Sequence, residues 1–561
     1  MVITHGKKTK RFEFSAKTLD GKPIHIRYKK LDDNKIQVYN PTDSTLKFKI
    51  TVTPKEPLDE KGWYRTAQSV ARVLMMVRNV SLSYRNQYSM GLPGFMPTIG
   101  NAFGQRRGDI MAPGLDFGFG LIDDDYIEKA RERGWLLSNE SVATPATTSL
   151  TEDLQLKMTL EPVRDFKIDL NASRNVTKSK SVQYMYAGNP TTQSGSFNMT
   201  TIAIKTAFAS SGDANNGYSS KTFEKFCQSL PAFRERVEAR YANTVYPQGT
   251  ALAGKTFNPE NGGVGAYSAD VLVPAFLSSY TSMGGGSLDI FPTLSRLLPN
   301  WTVRYSGLGR LPWFSSLFKS VNLNHSYKCL YAVGSYASYS TWMESTGGLG
   351  FITDATTGNP VPNSMFNVST VSLTENFAPL LGVDVTLNNN LTCKLEYKTT
   401  RQLSLSMTSV QLNETTSKDW VIGMGYKIND FKLFGGGGTS HRKVKGGKKN
   451  AGDNDENASK NQNTNNNRNG KGSFNHDLNL RFDFSYRQQA NITRDIASMT
   501  SSASSGNTAL KFSFSADYTL SKLMTMTFYY DQQTNTPLLS ANSYPTTTRD
   551  FGLSLKFSLT R

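Results

Sequence analysis

Hydrophobic and polar residues alternate with a period of two along much of the chain. In Leu154-Gln155-Leu156-Lys157-Met158-Thr159-Leu160 every even position is apolar. Leu478, Leu480, Phe482, Phe484 and Tyr486 repeat this around Asn479, Arg481, Asp483 and Ser485. Leu510, Phe512, Phe514, Ala516 and Tyr518 do so around Lys511, Ser513, Ser515 and Asp517, and Phe551 to Leu559 do so once more. Successive side chains of a strand point to opposite faces, so each segment predicts a strand with one greasy face and one wet face. The segments run about 9–11 residues or more, the length that crosses a bilayer when tilted. Strands of soluble sandwiches run about 5–6 residues. The pattern therefore predicts an all-β fold, an antiparallel transmembrane β-barrel with short helical insertions, with roughly sixteen to eighteen strand candidates.

The links carry a second signal. Val163-Arg164-Asp165, Asn388-Asn389-Asn390, Asn429-Asp430 and Leu520-Ser521-Lys522 read as short turns, with Asn, Asp and Ser supplying turn chemistry. Residues 177–195, 333–363, 435–474 and 532–547 read as long links on the opposite side. Short turns on one side and long loops on the other are the outer-membrane pattern.

Several regions depart from the alternation. Residues 1–60 hold short strands at Arg11–Ala16, Ile24–Lys29, Lys35–Tyr39 and Leu46–Thr53. Barrel strands are expected over 61–434, with 209–300 rich in insertions, and again over 475–561. Asp123–Arg133 predicts a short helix, acidic at its start and basic at its end. Phe226, Leu230, Phe233 and Val237 recur at helical spacing in Phe223–Tyr241, interrupted by Pro231. Residues 435–474, rich in Gly, Asn and Lys, lack the apolar residues to bury a core and are expected to be disordered.

Composition bounds the membrane reading without opposing it. Hydrophobic residues make up 38% of the 561 and mean hydropathy is −0.43. A barrel with a polar lumen and polar loops tolerates such values. No run of about 18 apolar residues occurs, so a membrane crossing must use strands, whose backbone groups only a closed ladder satisfies. Aromatic residues are plentiful, with 25 Tyr and 31 Phe, as interfacial girdles require. Met1–Lys10 is basic without an apolar core, so it does not read as a signal peptide, and an exported protein would then start upstream of it. The net charge of +18 suits anionic partners such as an outer-membrane surface, and no nucleic-acid module is present.

No catalytic constellation is legible: HExxH, GxSxG and CxxC are all missing. Cys227, Cys329 and Cys393 lie far apart and read as free thiols, and the five histidines are scattered, so neither metal nor cofactor is expected. Asp123-Asp124-Asp125 is the strongest carboxylate cluster, and helix capping explains it. Asp453, Asp455 and Glu456 lack calcium-loop spacing, and Gly435–Gly438 lacks a phosphate-loop context.

The segment Leu92, Pro93, Gly94, Phe95, Met96, Pro97 stands out as a rigid excursion from strand geometry, since two prolines fix φ and remove donors. This motif resembles the C-terminal region of the SprA/Sov family, the outer-membrane translocons of type IX secretion. So do Trp63-Tyr64-Arg65, Ala67-Gln68, Ala71-Arg72 and Leu74 to Ser81 upstream of it. Leu298-Pro299-Asn300-Trp301, Gly307-Leu308 and the ending from Asn535-Thr536-Pro537 through Ser543-Tyr544-Pro545 to Phe551-Gly552-Leu553 carry the same resemblance. It implies a giant single-chain barrel of Bacteroidota-type bacteria, of which this chain is the C-terminal part. The largest known transmembrane barrels reach about 36 strands. Implied partners are outer-membrane lipid, a PorV-type partner barrel, a plug protein, cargo proteins bearing a C-terminal signal, and the missing N-terminal half of the barrel. Export of folded cargo would be passive here, driven from the inner membrane, with a role in gliding motility in some species. Leu92 to Pro97 mark the family motif, with no individual substrate contacts implied. The competing expectation is a self-contained porin or transporter of roughly sixteen strands. A soluble β protein would leave the greasy stripes near 478–486 and 510–518 in water.

Overall fold

The computed structural model describes residues 1–7, 11–39, 47–54, 75–98, 112–123, 125–137, 144–184, 191–283, 286–429, 431, 476–521, 523–539 and 543–558. Two compact units result, Met1–Arg78 and Asn79–Arg561.

The first unit holds β1 (Val2–Thr4), β2 (Phe12–Thr18), β3 (Pro23–Ile24), β4 (Tyr28–Lys30), β5 (Lys35–Val38) and β6 (Phe48–Pro54). They form two three-stranded sheets, ordered β1-β5-β4 and β3-β2-β6. Phe12, Ala16, Ile26, Ile36 and Val38 make the core. All four predicted short strands are present, the second split in two. The stretch 55–74, including the Trp63 to Arg72 motif block, lies outside the described residues.

The second unit is built on a 14-stranded sheet. Its first strands are β7 (Val77–Gly91), β8 (Ala146–Val163), β9 (Phe166–Val182), β10 (Thr192–Thr200), β11 (Asn300–Tyr305) and β12 (Phe318–Ser338). A small sheet of β13 (Met343–Glu344), β14 (Gly350–Thr353) and β15 (Pro360–Pro362) sits in the link to β16 (Phe366–Val368) and β17 (Thr370–Leu387). There follow β18 (Leu391–Ser406), β19 (Gln411–Ile428), β20 (Leu478–Asp495), β21 (Thr500–Ser521), β22 (Met524–Pro537) and β23 (Thr546–Phe557). The order is β23-β22-β21-β20-β19-β18-β17-β12-β10-β9-β8-β7, with β11 on β12 and β9, and β16 on β12. Pairing is antiparallel between neighbours from β8 to β23. Among the described residues the path is open, with β7 and β23 at its edges. The expected all-β antiparallel architecture is therefore present.

Strand lengths exceed the prediction. β20 has 18 residues and β21 has 22. The links shrink accordingly: most of 177–195 belongs to β9 and β10, and half of 532–547 to β22 and β23. Ser, Thr, Asn and Gln fill these strand ends, so no hydrophobic alternation marks them, and cross-strand pairing alone extends the ladder. The turns after Val163 and Leu387 are as short as predicted, with Asp165 (φ 67°) and Asn390 (φ 66°) in the left-handed region that Asn and Asp tolerate.

Two expectations are corrected. The tract 435–474 lies outside the described residues, but its flanks overturn both the short turn expected at Asn429-Asp430 and the expected place of the tract on the side opposite the short turns: Ile428 pairs with Leu478 and the Phe431 N–H bonds the His476 carbonyl. Those anchors share an end with the turns 163–165 and 388–390. Met407–Val410 and Ile496–Met499, by contrast, are short connections on the far end. Each strand reverses direction, so strand parity assigns a link to its end, and link length does not.

Among the described residues two helices of twelve residues or more break the sheet's monotony, besides α1 (Tyr126–Glu132), where a helix was predicted, and a few single-turn helices. Asp125 occupies its N-cap position without a side-chain capping bond, and Asp123 pairs with Lys129 at 3.4 Å, so ion pairing replaces the expected capping. Helix α2 (Lys221–Tyr241) continues across Pro231. Its buried face, including Phe223, Phe226, Leu230, Phe233 and Val237, holds the helix together against the lost hydrogen bond. Helix α3 (Ala269–Tyr280) was not legible, because Val271 to Leu277 is buried all round and shows no period.

Candidate functional site

The registers assign every sheet side chain to one of two faces. Leu395, Ile422, Phe484 and Phe512 stand directly opposite one another on consecutive strands. One step along, Tyr397, Trp420, Tyr486 and Leu510 form a parallel row, with Tyr397 and Trp420 stacked at 4.4 Å. On the same face Phe482 meets Phe512 edge-on at 4.9 Å, and Phe514 lies 6.3 Å from Phe528. At the β23 edge Phe551, Leu553, Leu555 and Phe557 continue this face and are 60–73% exposed. From Leu478 to Tyr486 the band covers nine positions of β20, about the length that a tilted strand needs to cross hydrocarbon.

The opposite face is wet. Glu396 sits between Lys394 and Lys398, each 2.9 Å away. Asn324 donates to Asp384 at 2.7 Å, Thr527 to Asp517 at 2.6 Å, and Thr159 to Asp169 at 2.8 Å. A concavity of about 490 Å³ on this face is lined by Asp384, Lys394, Lys427, Arg481, Asp483 and Asp517. Gly423 keeps it open: a Cβ there would lie 3.0 Å from Asp483 Oδ1. Of the polar positions that the alternation singled out, Arg481, Asp483, Lys511 and Asp517 share this face, and Lys157 faces away from Met158 and Leu170.

Beyond the greasy band the same face is covered by a helical collar, residues 201–299. The collar is inserted inside a strand. β10 pairs with β9 from Ser181 to Arg174, and β11 resumes the pairing at Asn171, so the two are halves of one strand interrupted between Thr200 and Asn300. An interrupted ladder leaves backbone groups to be satisfied by other means. The Ser173 N–H donates to Thr200 Oγ1 at 3.0 Å, and the Cys329 N–H to Asn300 Oδ1 at 2.7 Å. Cys227, Cys329 and Cys393 are free thiols, as expected, and burial in α2 pushes the Cys227 thiol up to about 11.

Two buried arginines fasten the collar to the sheet. Arg401 donates to the Thr206 carbonyl at 2.6 Å, to Thr206 Oγ1 at 2.7 Å and to Glu375 at 3.0 Å. Tyr327 also donates to Glu375, at 2.8 Å, and accepts from the Ala203 N–H. Arg494 pairs with Glu414 at 2.7 Å and donates to the carbonyls of Tyr218 and Ser211. Sequence reasoning missed all four charged residues. Their signal was present: each occupies the apolar parity of its strand, as Arg401 does beside Leu403 and Leu405.

The motif Leu92 to Pro97 lies directly after β7, at the end of the sheet away from the short turns. Phe95 forms a bridge with Leu136 and meets Trp135 edge-on at 6.3 Å. Met96 N–H bonds the Trp135 carbonyl, and Leu137 N–H the Gly94 carbonyl. Tyr184 donates to the Pro93 carbonyl at 2.6 Å. Leu92 and Phe95 pack on a core with Tyr126, Ile127, Trp135 and Ala146, so the motif is a structured rim element.

No family model and no curated protein matches the chain. Solved structures that align with it include two outer-membrane proteins. One is the beta domain of the Bordetella autotransporter Brka, at 7% identity and TM-score 0.20, covering 74% of this chain and 92% of that one. The other is an anion-selective porin from Comamonas acidovorans, at 8% identity and TM-score 0.10, covering 70% and 82%. Neither superposition is close enough to bear on fold or function.

Proposed function

We propose that the chain forms part of the wall of an outer-membrane β-barrel channel, and that this channel exports proteins in the manner of the SprA/Sov translocons of type IX secretion. The observation that carries the reading is the division of the sheet between its two faces along the greasy band. A continuous aromatic and aliphatic band covers one side, and charged and amide side chains cover the other. A wall between lipid and a wet lumen requires this division, whereas a soluble sheet would bury its greasy face. Among the described residues β7 and β23 stand at the edges of the sheet, which fits a ring completed by further strands, the N-terminal half that the family resemblance implies. A PorV-type barrel, a plug and cargo with a C-terminal signal are the partners that follow from the resemblance. The chain's own part is passive: lipid-facing anchorage, a polar lumen wall, and a rim built on Leu92–Pro97.

Deleting the gene tests the reading. Cargo bearing the C-terminal signal should vanish from the cell surface and accumulate in the periplasm. Intact surface display with lowered uptake of small hydrophilic solutes would make the chain a porin instead.

A further inference from the structure

We infer that a groove beneath the collar binds the phosphate headgroup of an anionic membrane lipid, an inference that rests on the membrane reading above. The groove, of about 400 Å³, lies between collar residues 207–212 and the apolar-band face of β18, β19 and β20. Three rows of side chains build it. Tyr397, Trp420 and Tyr486 form the aromatic edge of the band. One step further, about 7 Å along the strands, Thr399, Lys418, Gln488 and Thr508 stand in register. The next row, beginning with Arg401 and Thr416, is where the collar seats. The polar row thus lies immediately above an aromatic girdle, the depth at which headgroups meet a membrane protein.

Charge selects the ligand. Arg401 and Lys418 line the groove, and no carboxylate does. Arg401 is neutralised by Glu375, although its Nε–H finds no acceptor among the described residues. Lys418 is exposed and has no ion-pair partner among them. Within its row Lys418 faces hydroxyl and amide side chains and no counter-charge, and an anionic oxygen satisfies it together with the hydroxyl and amide donors of Thr399 and Gln488. Phe208 (66% exposed) presents ring surface at the groove, and Trp420 (44% exposed), opposite Tyr397 in the row next to Lys418, presents it just outside the groove, for the upper acyl chain.

The test uses the full chain in phosphatidylcholine bilayers containing phosphatidylglycerol, with bromine on the acyl chains of one lipid or the other. Quenching of Trp420 is read as the difference between the native chain and Trp420→Phe. Brominated phosphatidylglycerol should quench about five-fold better per mole than brominated phosphatidylcholine, the contribution of one lysine near an anionic surface. Lys418→Ala should equalise the two lipids and Lys418→Arg should keep the preference. Equal quenching in the native chain, or a preference that survives Lys418→Ala, overturns the site and leaves the membrane reading standing. No quenching by either lipid overturns both. Loss of the preference on adding inorganic phosphate makes free phosphate the ligand and overturns the lipid assignment.

Discussion

Arg494 on β20 and Glu414 on β19 form an ion pair at 2.7 Å, with the two side chains 0% and 5% exposed, on the face that otherwise carries the sheet's greasy residues. The guanidinium also holds the carbonyls of Tyr218 and Ser211, and the Ser211 hydroxyl donates to Glu414. A buried pair contributes little by its attraction alone, but removing one partner strands the other. Here the pair doubles as the fastening between sheet and collar.

Arg494→Met should therefore cost about 3–5 kcal/mol, felt at the collar contact rather than across the sheet. Hydrogen exchange should rise at residues 211–220 while β20 and β21 stay protected. Glu414→Gln, which keeps an acceptor for the arginine, should cost less. Uniform loss of protection across the sheet would contradict a local fastening.

Asn300 substitutes for the ladder where the strand is interrupted. Asn300→Leu leaves the Cys329 N–H without its acceptor and should destabilise by about 1–3 kcal/mol. Urea unfolding in detergent micelles measures this, and Asn300→Asp, which keeps the acceptor, should recover part of the loss.

Phe512 and Ser513 are neighbours on opposite faces of β21. Phe512→Lys places a charge in the apolar band and should cost about 2–4 kcal/mol of stability in a bilayer. Ser513→Lys joins the wet face beside Asp483 and should be close to neutral. Equal costs would remove the distinction between lipid and lumen faces.

Asp270, at the start of α3, accepts the Ser364 N–H at 2.7 Å. Burial pushes its carboxyl above the ordinary range, against the pull of Ser364 and Arg240. A raised folded pKa means that the folded state holds the proton more tightly. Its contribution is full below the unfolded value, 3.8, and is lost as pH rises through the folded value. Asp270→Asn should flatten this part of the pH profile of collar unfolding and raise stability at neutral pH. A wild-type profile that rises with pH across the same window would reverse the sign.

Period-two alternation by itself determined the class of the molecule. It located the strand centres at 154–160, 478–486 and 510–518, sorted their residues into a greasy and a wet set, and marked the turns at 163–165 and 388–390. It could do so because strand parity is a local property of the backbone. Asp123–Arg133 and Phe223–Tyr241 were legible as helices for the same reason, through their charge order and spacing. Tertiary structure decided what locality cannot encode. The polar strand ends acquired their ladders only from partners, which lengthened β9, β10 and β22 into expected loops. The end of the sheet at which β19 stops and β20 starts followed from the direction of each strand, not from link length. Arg401 and Arg494 went unnoticed on an apolar parity, and only the collar, distant in sequence, supplies carbonyls and excludes water around them. A charge on the wrong face becomes intelligible only when the surface that covers it is known.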